Sequence, residues 1–257
     1  MQIVDFWTSD HRKWSERRLA LRGRRSIRTT SAGASMDLLT ALDGYFGGWC
    51  FTFTTLPPRE ALQAMEAGHT SDVANPVHAL REEVDEGIEE DGILLVAGRI
   101  SRAWSIVMET NGDTGLIGAG HGVLLELCTP EQPAMTVFKN PNRLEMLYAD
   151  LDDNRAGLDI TSGRRWGTLG HVTGALHEAG FTADGGLHDT LSGYPYNDLA
   201  RHAITAITGL DTLEGVATGW VSGMVPTTTA LQQIDRSRAL AIDTRGLSRQ
   251  AWIGEAP

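Results

Sequence analysis

Glu109 is the carboxylate of this sequence best placed for acid–base chemistry. It ends the apolar stretch 103–109, just before the turn residues Asn111, Gly112 and Asp113. A carboxyl group at the end of a buried strand loses water, which raises its pKa and suits it to proton transfer near neutral pH. The open alternative is that Glu109 lies at an edge and points into solvent. We treat Glu109, Asn111 and Asp113 as candidate binding residues.

Arg164, Arg165 and Trp166 form a second candidate binding site. Glycine and apolar spacing predict a helix over residues 166–179, so these residues fall at its start. The positive end of a helix dipole disfavours cations, which makes two arginines there unusual. They could hold an acidic partner or ligand, with the Trp166 ring as an anchor. In the alternative interpretation they precede the helix and have no special role.

The metal-ligating residue types show no pattern of a metal site. The eight histidines contain no H-E-x-x-H motif, and His171 and His177 are six residues apart rather than four. The two cysteines, Cys50 and Cys128, are too few for a disulfide framework or a cysteine zinc site. Residues 150–154 resemble the start of a calcium loop, but Arg155 stands where the sharp-turn glycine is required. We predict no metal and no cofactor.

Motifs of phosphate binding and nucleophilic catalysis are also missing from the sequence. There is no G-x-S-x-G elbow and no P-loop. The glycines at 115, 118, 120 and 122 do not match G-x-G-x-x-G, because position 123 is valine. Cys50 lies within a predicted strand and is interpreted as a small packing residue. Whether the protein is an enzyme stays open at this point.

Charge divides the chain into two parts. The 257 residues carry a net charge of −11, but residues 1–35 hold eight basic and three acidic residues, a net charge of +5. Residues 36–257 hold 14 basic and 30 acidic residues, a net charge of −16. An acidic body does not suit general binding to phosphate backbones, so we expect no nucleic-acid binding by the body. No apolar run reaches the length of a membrane span, so we expect no membrane insertion.

The basic arm, residues 1–35, has three interpretations. It could bind nucleic acid or an acidic partner, or be a targeting segment, although it lacks the apolar core of a secretory signal. The third interpretation is a disordered or non-native arm, because Met36 opens a regular amphipathic stretch. Arginine outnumbers lysine 20 to 2, which is typical of a GC-rich genome. In such a genome, untranslated DNA upstream of a gene, if read as protein, often encodes Arg, Ala, Gly and Ser.

Periodicity predicts an α+β fold with a mostly antiparallel sheet of about five or six strands and helices packed on one side. Strands are expected at 47–54, 93–97, 103–109, 134–139, 144–149 and 157–160. Helices are expected from Pro57, from Val77, and over 166–179 and 196–208, with shorter ones at 213–218 and 230–242. We predict a single domain over 36–222 and a C-terminal helix and tail over 223–257.

Four short sequence blocks of residues 36–257 occur in a fixed order along the chain. They are Trp49-Cys50-Phe51-Thr52-Phe53, residues 104–109 followed by Asn111-Gly112, residues 137–142, and the Leu158-Asp159 pair with the glycine-bounded stretch 167–180. Over about residues 38–210 they resemble an uncharacterised actinobacterial domain-of-unknown-function family.

That resemblance implies an actinobacterial origin, one α+β domain, a cytoplasmic setting and a short helix within 118–128. It supplies no catalytic residues. The sequence departs from the family pattern at Asp113, Pro141 and Leu169, where Trp, Val and Pro are usual.

Two functions remain as hypotheses. The first is a non-enzymatic cytoplasmic protein-binding module, of immunity or antagonist type, whose acidic, tryptophan-bearing surface suits a basic target. The second is a small-molecule enzyme or ligand carrier that uses Glu109 or a histidine as its acid–base group. A pocket lined by Glu109 would favour the second hypothesis, and a solvent-exposed Glu109 would argue against it. The sequence predicts neither the partner nor the oligomeric state.

Overall fold

A computed structural model of the chain describes residues 37–43, 48–86, 92–110, 116–130, 132–140, 143–152, 155–167, 170, 172–182, 186–210, 213, 218–230 and 232. The chain divides into two units, Met1–Ser35 and Met36–Pro257. The whole basic arm lies outside the described residues, so its three interpretations stay predictions. The helix predicted from Val77 is described only as far as residue 86.

The described elements alternate between helices and strands in the first half of the body and cluster by type in the second. In chain order they are α1 (Leu38–Asp43), β1 (Trp49–Thr54), α2 (Pro58–Ala64), β2 (Thr70–Asp72), α3 (Pro76–Glu86), β3 (Gly92–Arg99), β4 (Ser105–Thr110), α4 (His121–Leu127), β5 (Ala134–Asn140), β6 (Arg143–Ala149), β7 (Arg155–Asp159), β8 (Arg165–Gly167), α5 (Val172–Glu178), α6 (Tyr196–Thr208) and β9 (Thr218–Pro226). A 3₁₀ turn, Asp189–Leu191, precedes α6.

All nine strands belong to one sheet, in the order β2-β9-β3-β4-β1-β5-β6-β7-β8. Every neighbouring pair is antiparallel. Strand β1 occupies the middle, and all six of its residues are buried. Its alternating aromatic, threonine and cysteine side chains suit a strand that is covered on both faces.

Each face of the sheet has its own apolar layer. Trp49, Phe51 and Phe53 of β1 point to the face that α1, α3, α5 and α6 cover. Cys50 points to the opposite face, where the apolar side chains of α2 and α4 pack. Helices therefore cover both sides of the sheet, so the prediction that they pack on one side is wrong. The α+β class with an antiparallel sheet is confirmed, but the sheet is larger than the predicted five or six strands.

Three strands that the sequence pattern did not predict account for the larger sheet. Strand β2 lies at Thr70–Asp72, where no element was predicted, β8 lies at Arg165–Gly167, and residues 218–226 form the long inner strand β9. Glycine and proline obscure the alternation in β9, which is fixed by packing: the Trp220 ring lies directly over Gly98 of β3. The predicted helix at 213–218 is wrong at its end, because Thr218 begins β9. The predicted boundary between residues 222 and 223 falls inside β9.

Other predictions agree closely with the structure. The helix predicted over 196–208 is α6, with Gly209 in the left-handed conformation that ends it. The strands predicted at 93–97 and 103–109 are β3 and β4, which pair as antiparallel neighbours. The short helix implied by the family resemblance is α4. Within the described residues, no helix is long and apolar enough to cross a membrane.

Candidate functional site

Glu109 lies near the end of β4, and its side chain is almost completely buried. Alternation along β4 directs it to the same face as Val107, toward α2 and α4. The backbone N–H of Ile117 donates a hydrogen bond to Oε2 of Glu109 at 2.7 Å. The N–H of Gly118 donates to Oε1 at 2.6 Å. The carboxyl group thus uses both oxygens to hold the segment that leads into α4.

Three further polar side chains surround this carboxyl group on the central strands. Cys50 is the direct partner of Glu109 across the β1–β4 pair. The Cys50 Sγ lies 3.8 Å from the Thr52 Oγ1, which in turn lies 2.8 Å from the Thr136 Oγ1 of β5. All four side chains are buried. We call Cys50, Thr52, Glu109 and Thr136 the central polar cluster.

Gly118 covers the central polar cluster on the face of the sheet that α2 and α4 cover. A methyl group added at its Cα would overlap the Thr52 hydroxyl and would lie 2.9 Å from the Glu109 Oε1 and 3.1 Å from the Cys50 Sγ. Because ordinary side-chain contacts are longer than this, only glycine fits at position 118 without movement. The backbone of the covering segment, residues 116–120, is therefore in direct contact with the polar groups of the sheet.

Burial sets the proton affinity of both ionisable members of the cluster. Desolvation is the main cause that raises the pKa of Glu109 to about 7, and the hydrogen bonds from Gly118 and Ile117 offset part of it. Desolvation and the nearby Glu109 carboxylate raise the pKa of the Cys50 thiol well above its usual value. Cys50 is therefore a protonated thiol at neutral pH, as its interpretation as a packing residue implies.

The candidate residues beside Glu109 cannot be placed. Asn111 and Asp113 lie outside the described residues. Glu109 is buried, so the alternative that it points into solvent at an edge is wrong. Among the described side chains, no histidine is one of the groups that shift its pKa.

The structure places Arg164, Arg165 and Trp166 at the opposite end of the sheet from β2. Arg165 and Trp166 lie in the edge strand β8, and four strands separate β8 from β4. At ~4.8 Å between neighbouring strands, this separation is about 24 Å. The two predicted candidate sites are thus not parts of one site.

The helix-start interpretation of these three residues is wrong, because β8 replaces the first part of the predicted helix and α5 begins only at Val172. The Arg165 guanidinium donates a hydrogen bond to the carbonyl oxygen of Phe181. The Trp166 ring lies directly over Gly157 of β7. Both side chains hold the sheet edge, and only Arg164 is exposed.

The four tryptophans that the structure describes differ from the surface role expected of them. Trp49 and Trp104 are buried, and Trp166 and Trp220 are partly buried. Among the described residues, the exposed large apolar side chains are Leu151, Tyr194 and Tyr196. The aromatic groups available to a partner on this part of the chain are therefore tyrosines.

Tyr194 and Tyr196 lie where the chain enters α6. The Tyr194 ring centroid is 5.6 Å from that of His202, one turn and a half along α6. The Lys139 Nζ lies 5.9 Å from the centroid of the Tyr196 ring, within range of a cation–π interaction. We call Tyr194, Tyr196, Lys139 and His202 the tyrosine surface.

The backbone that presents the tyrosine surface is well anchored. The N–H of Tyr194 donates to the Leu191 carbonyl oxygen at 3.2 Å, and the N–H of Leu191 donates to that of His188 at 2.8 Å. Leu191 itself is buried in the core. Pro195 caps α6, and its ring restricts the backbone between the two tyrosines. Leu191 therefore fixes the chain just before the two tyrosines to the core.

Sequence reasoning found Glu109 but missed its surroundings. The alternate threonines Thr52 and Thr54 of β1 and the single Thr136 of β5 were a usable signal, because a polar side chain on a buried face needs a partner on the next strand. Nothing in the sequence indicated that Gly118 folds back over Glu109, or that Tyr194 and Tyr196 stay exposed. Those two features depend on how loops return to the sheet.

Metal binding receives no support from the described part of the chain, which contains no group of three or more His, Cys, Asp or Glu side chains arranged to hold an ion. The resemblance to an actinobacterial family stays a prediction. No family model matches the chain, and neither a curated protein nor a solved structure matches it.

Proposed function

We propose that this protein is a non-enzymatic protein-binding module whose tyrosine surface contacts a basic protein partner. The observation that carries the proposal is the exposure of two neighbouring tyrosines, 44% for Tyr194 and 55% for Tyr196. Tyrosine is enriched where proteins bind one another, because its ring buries a large area and its hydroxyl keeps a hydrogen bond.

The anchored backbone of the tyrosine surface supports this proposal. Binding costs free energy for every side chain and loop that must become ordered. The hydrogen-bonded turn before Tyr194 and the Pro195 ring reduce that cost, because they already fix the chain direction. A rigid pair of aromatic rings is a favourable anchor for a partner.

Charge suggests which kind of partner would bind. Residues 36–257 carry a net charge of −16, so a basic protein would be attracted at long range and an acidic one repelled. Asp189 and Asp198, which precede and follow the two tyrosines in the chain, are exposed and are part of this acidic charge. An antagonist or immunity role toward a basic protein is the specific form of this proposal.

Acid–base catalysis by Glu109 is the second function that an observation favours. A pKa of about 7 suits a general acid or base. The geometry argues against it, because both carboxyl oxygens accept backbone hydrogen bonds and Gly118 covers them. A substrate would have to displace the covering segment to reach the proton.

The test is a selection for binding partners with two matched variants. Protein fragments encoded by the same genome are displayed and selected on the wild-type protein, on Tyr194→Ser/Tyr196→Ser and on Leu151→Ser. Leu151 is the matched control because it is an equally exposed apolar residue.

We expect basic fragments that bind the wild type and Leu151→Ser but bind the double tyrosine variant at least tenfold more weakly. Their affinity should fall as salt is raised. Fragments that bind all three proteins equally, or a selection that yields no fragment, would contradict the proposal.

A further inference from the structure

The covering segment, residues 116–120, is held to the sheet by a group that can change its charge. Two consecutive backbone N–H groups, from Ile117 and Gly118, donate to the two oxygens of Glu109. The Ile117 side chain is buried with the apolar layer of this face. α4 begins directly after Gly120, so the position of the covering segment also sets the start of that helix.

Within the described residues, no basic side chain is among the groups that shift the pKa of Glu109. From β1 the Cys50 thiol is hydrogen-bonded to the carboxyl group and offsets part of the desolvation, and from β5 the cluster contributes the neutral hydroxyl of Thr136. The helices α2 and α4 turn apolar side chains to this face, while their charged residues Arg59, Glu60 and Glu126 are exposed or partly exposed. His121 belongs to α4, but its side chain lies outside what the structure describes.

We propose that the covering segment is a pH-sensitive device, closed while Glu109 is protonated and opening when Glu109 ionises. An ionised carboxyl group under the covering segment loses its hydration, and the two N–H donors and the Cys50 thiol replace only part of it. Lifting Gly118 away returns the carboxylate to water. Ionisation therefore favours the open state, and protonation favours the closed one.

The pH window follows from the two states of the carboxyl group. In water its pKa is 4.5, and under the covering segment burial raises the pKa to about 7. Above 4.5 the open state releases its proton first, so opening becomes easier as the pH rises. Above about 7 both states are ionised, and the opening equilibrium no longer changes.

Amide hydrogen exchange of the full chain tests this inference. The protection factors of the Ile117 and Gly118 amides, corrected for the intrinsic exchange rate, are measured between pH 5 and pH 8. We expect protection to fall at least tenfold between pH 5 and pH 7 and then to level off. The Gly209 amide, which donates to Thr205 at the end of α6, is the internal control and should change much less.

Two variants assign the effect. In Glu109→Gln the dependence on pH should disappear, and in His121→Asn it should persist. Protection that stays constant or rises with pH in the wild type would overturn the inference, as would a dependence that survives in Glu109→Gln or vanishes in His121→Asn. If Glu109→Gln does not fold, the carboxyl carbon shift of Glu109 in the wild type is titrated instead. A midpoint below pH 5 would then overturn the inference.

Discussion

Two carboxyl groups, Glu109 and Asp159, lie at the ends of strands and accept hydrogen bonds from backbone N–H groups, yet the pKa of the first is raised and that of the second is lowered. At the end of β4, Glu109 accepts two N–H hydrogen bonds, and its pKa rises to about 7. At the end of β7, Asp159 accepts hydrogen bonds from the N–H groups of Thr161 and Ser162 and from the Thr161 hydroxyl. The pKa of Asp159 falls below its usual value.

Depth of burial explains this difference. Burial is the largest single effect on both groups, and it raises the pKa of each. Asp159 stays partly exposed, so the hydrogen bonds from Thr161 and Ser162 together outweigh the desolvation. Glu109 is buried under Gly118 and receives fewer donors. In this fold, hydrogen bonds from N–H groups outweigh burial at the carboxyl group that stays partly exposed, and they offset only part of it at the one that is enclosed.

The largest expected effect is on the pH dependence of stability through Glu109. A rise of its pKa from 4.5 in the unfolded chain to about 7 in the fold corresponds to roughly 3 kcal/mol. The native state binds more protons than the unfolded state between these values, so the free energy of unfolding falls as the pH rises from 4.5 to 7.

Denaturant unfolding of wild type and Glu109→Gln across pH 4–8 measures this difference. The other titrating groups are common to both proteins and largely cancel. A wild-type curve parallel to that of Glu109→Gln would show that burial does not dominate at Glu109.

Gly118→Ala should destabilise the protein by about 1–3 kcal/mol, the usual cost of overpacking a core. The added methyl group would collide with the Thr52 hydroxyl and crowd the Glu109 Oε1 and the Cys50 Sγ. Chemical denaturation at pH 7 gives the free energy of unfolding. An unchanged stability would mean that the covering segment does not approach the central polar cluster as closely as the structure shows.

Asp159→Asn should cost about 1 kcal/mol at pH 7, because weaker hydrogen bonds replace those to the carboxylate. The stability that Asp159 contributes increases with pH, whereas the stability that Glu109 contributes decreases with pH. The lowered pKa of Asp159 contributes stability above 3.8, and this contribution is lost as the pH falls through the folded value. The difference between wild type and variant should therefore shrink at acid pH. A difference that grows on acidification would contradict the role assigned to exposure.

Gly174→Ala is the smallest change and has the opposite sign. Gly174 lies exposed within α5, and an added methyl group would meet no atom within 4 Å. Alanine favours a helix over glycine, so we expect stabilisation by about 0.5–1 kcal/mol in thermal or denaturant unfolding. This variant is the matched control for Gly118→Ala: a loss of stability in both would place the cause in glycine replacement itself rather than in contact with Glu109.

Local periodicity predicted the six central strands of the nine-stranded sheet because its signals are strong and short in range. Strand β1 alternates aromatic and small side chains, and α6 repeats its apolar residues and ends at a glycine. Strands β8 and β9 were missed for the opposite reason. Glycines interrupt the alternation of side chains in both strands. Each strand is fixed in place by its own tryptophan, which packs over a glycine of the neighbouring strand. The Trp220–Gly98 contact joins residues 122 positions apart, and the Trp166–Gly157 contact depends on the pairing of β8 with β7.

The sequence by itself determined the acidity of the body, the alternation that turns Glu109 and Val107 to one face of β4, and the course of α6. These follow from composition and from side-chain period, which are local properties. Only the tertiary structure decided that Glu109 lies under Gly118, that Arg165 and Trp166 hold a sheet edge, and that Tyr194 and Tyr196 remain exposed. The pKa of a carboxyl group and the exposure of a ring depend on which distant segments exclude water, and no local pattern contains that information.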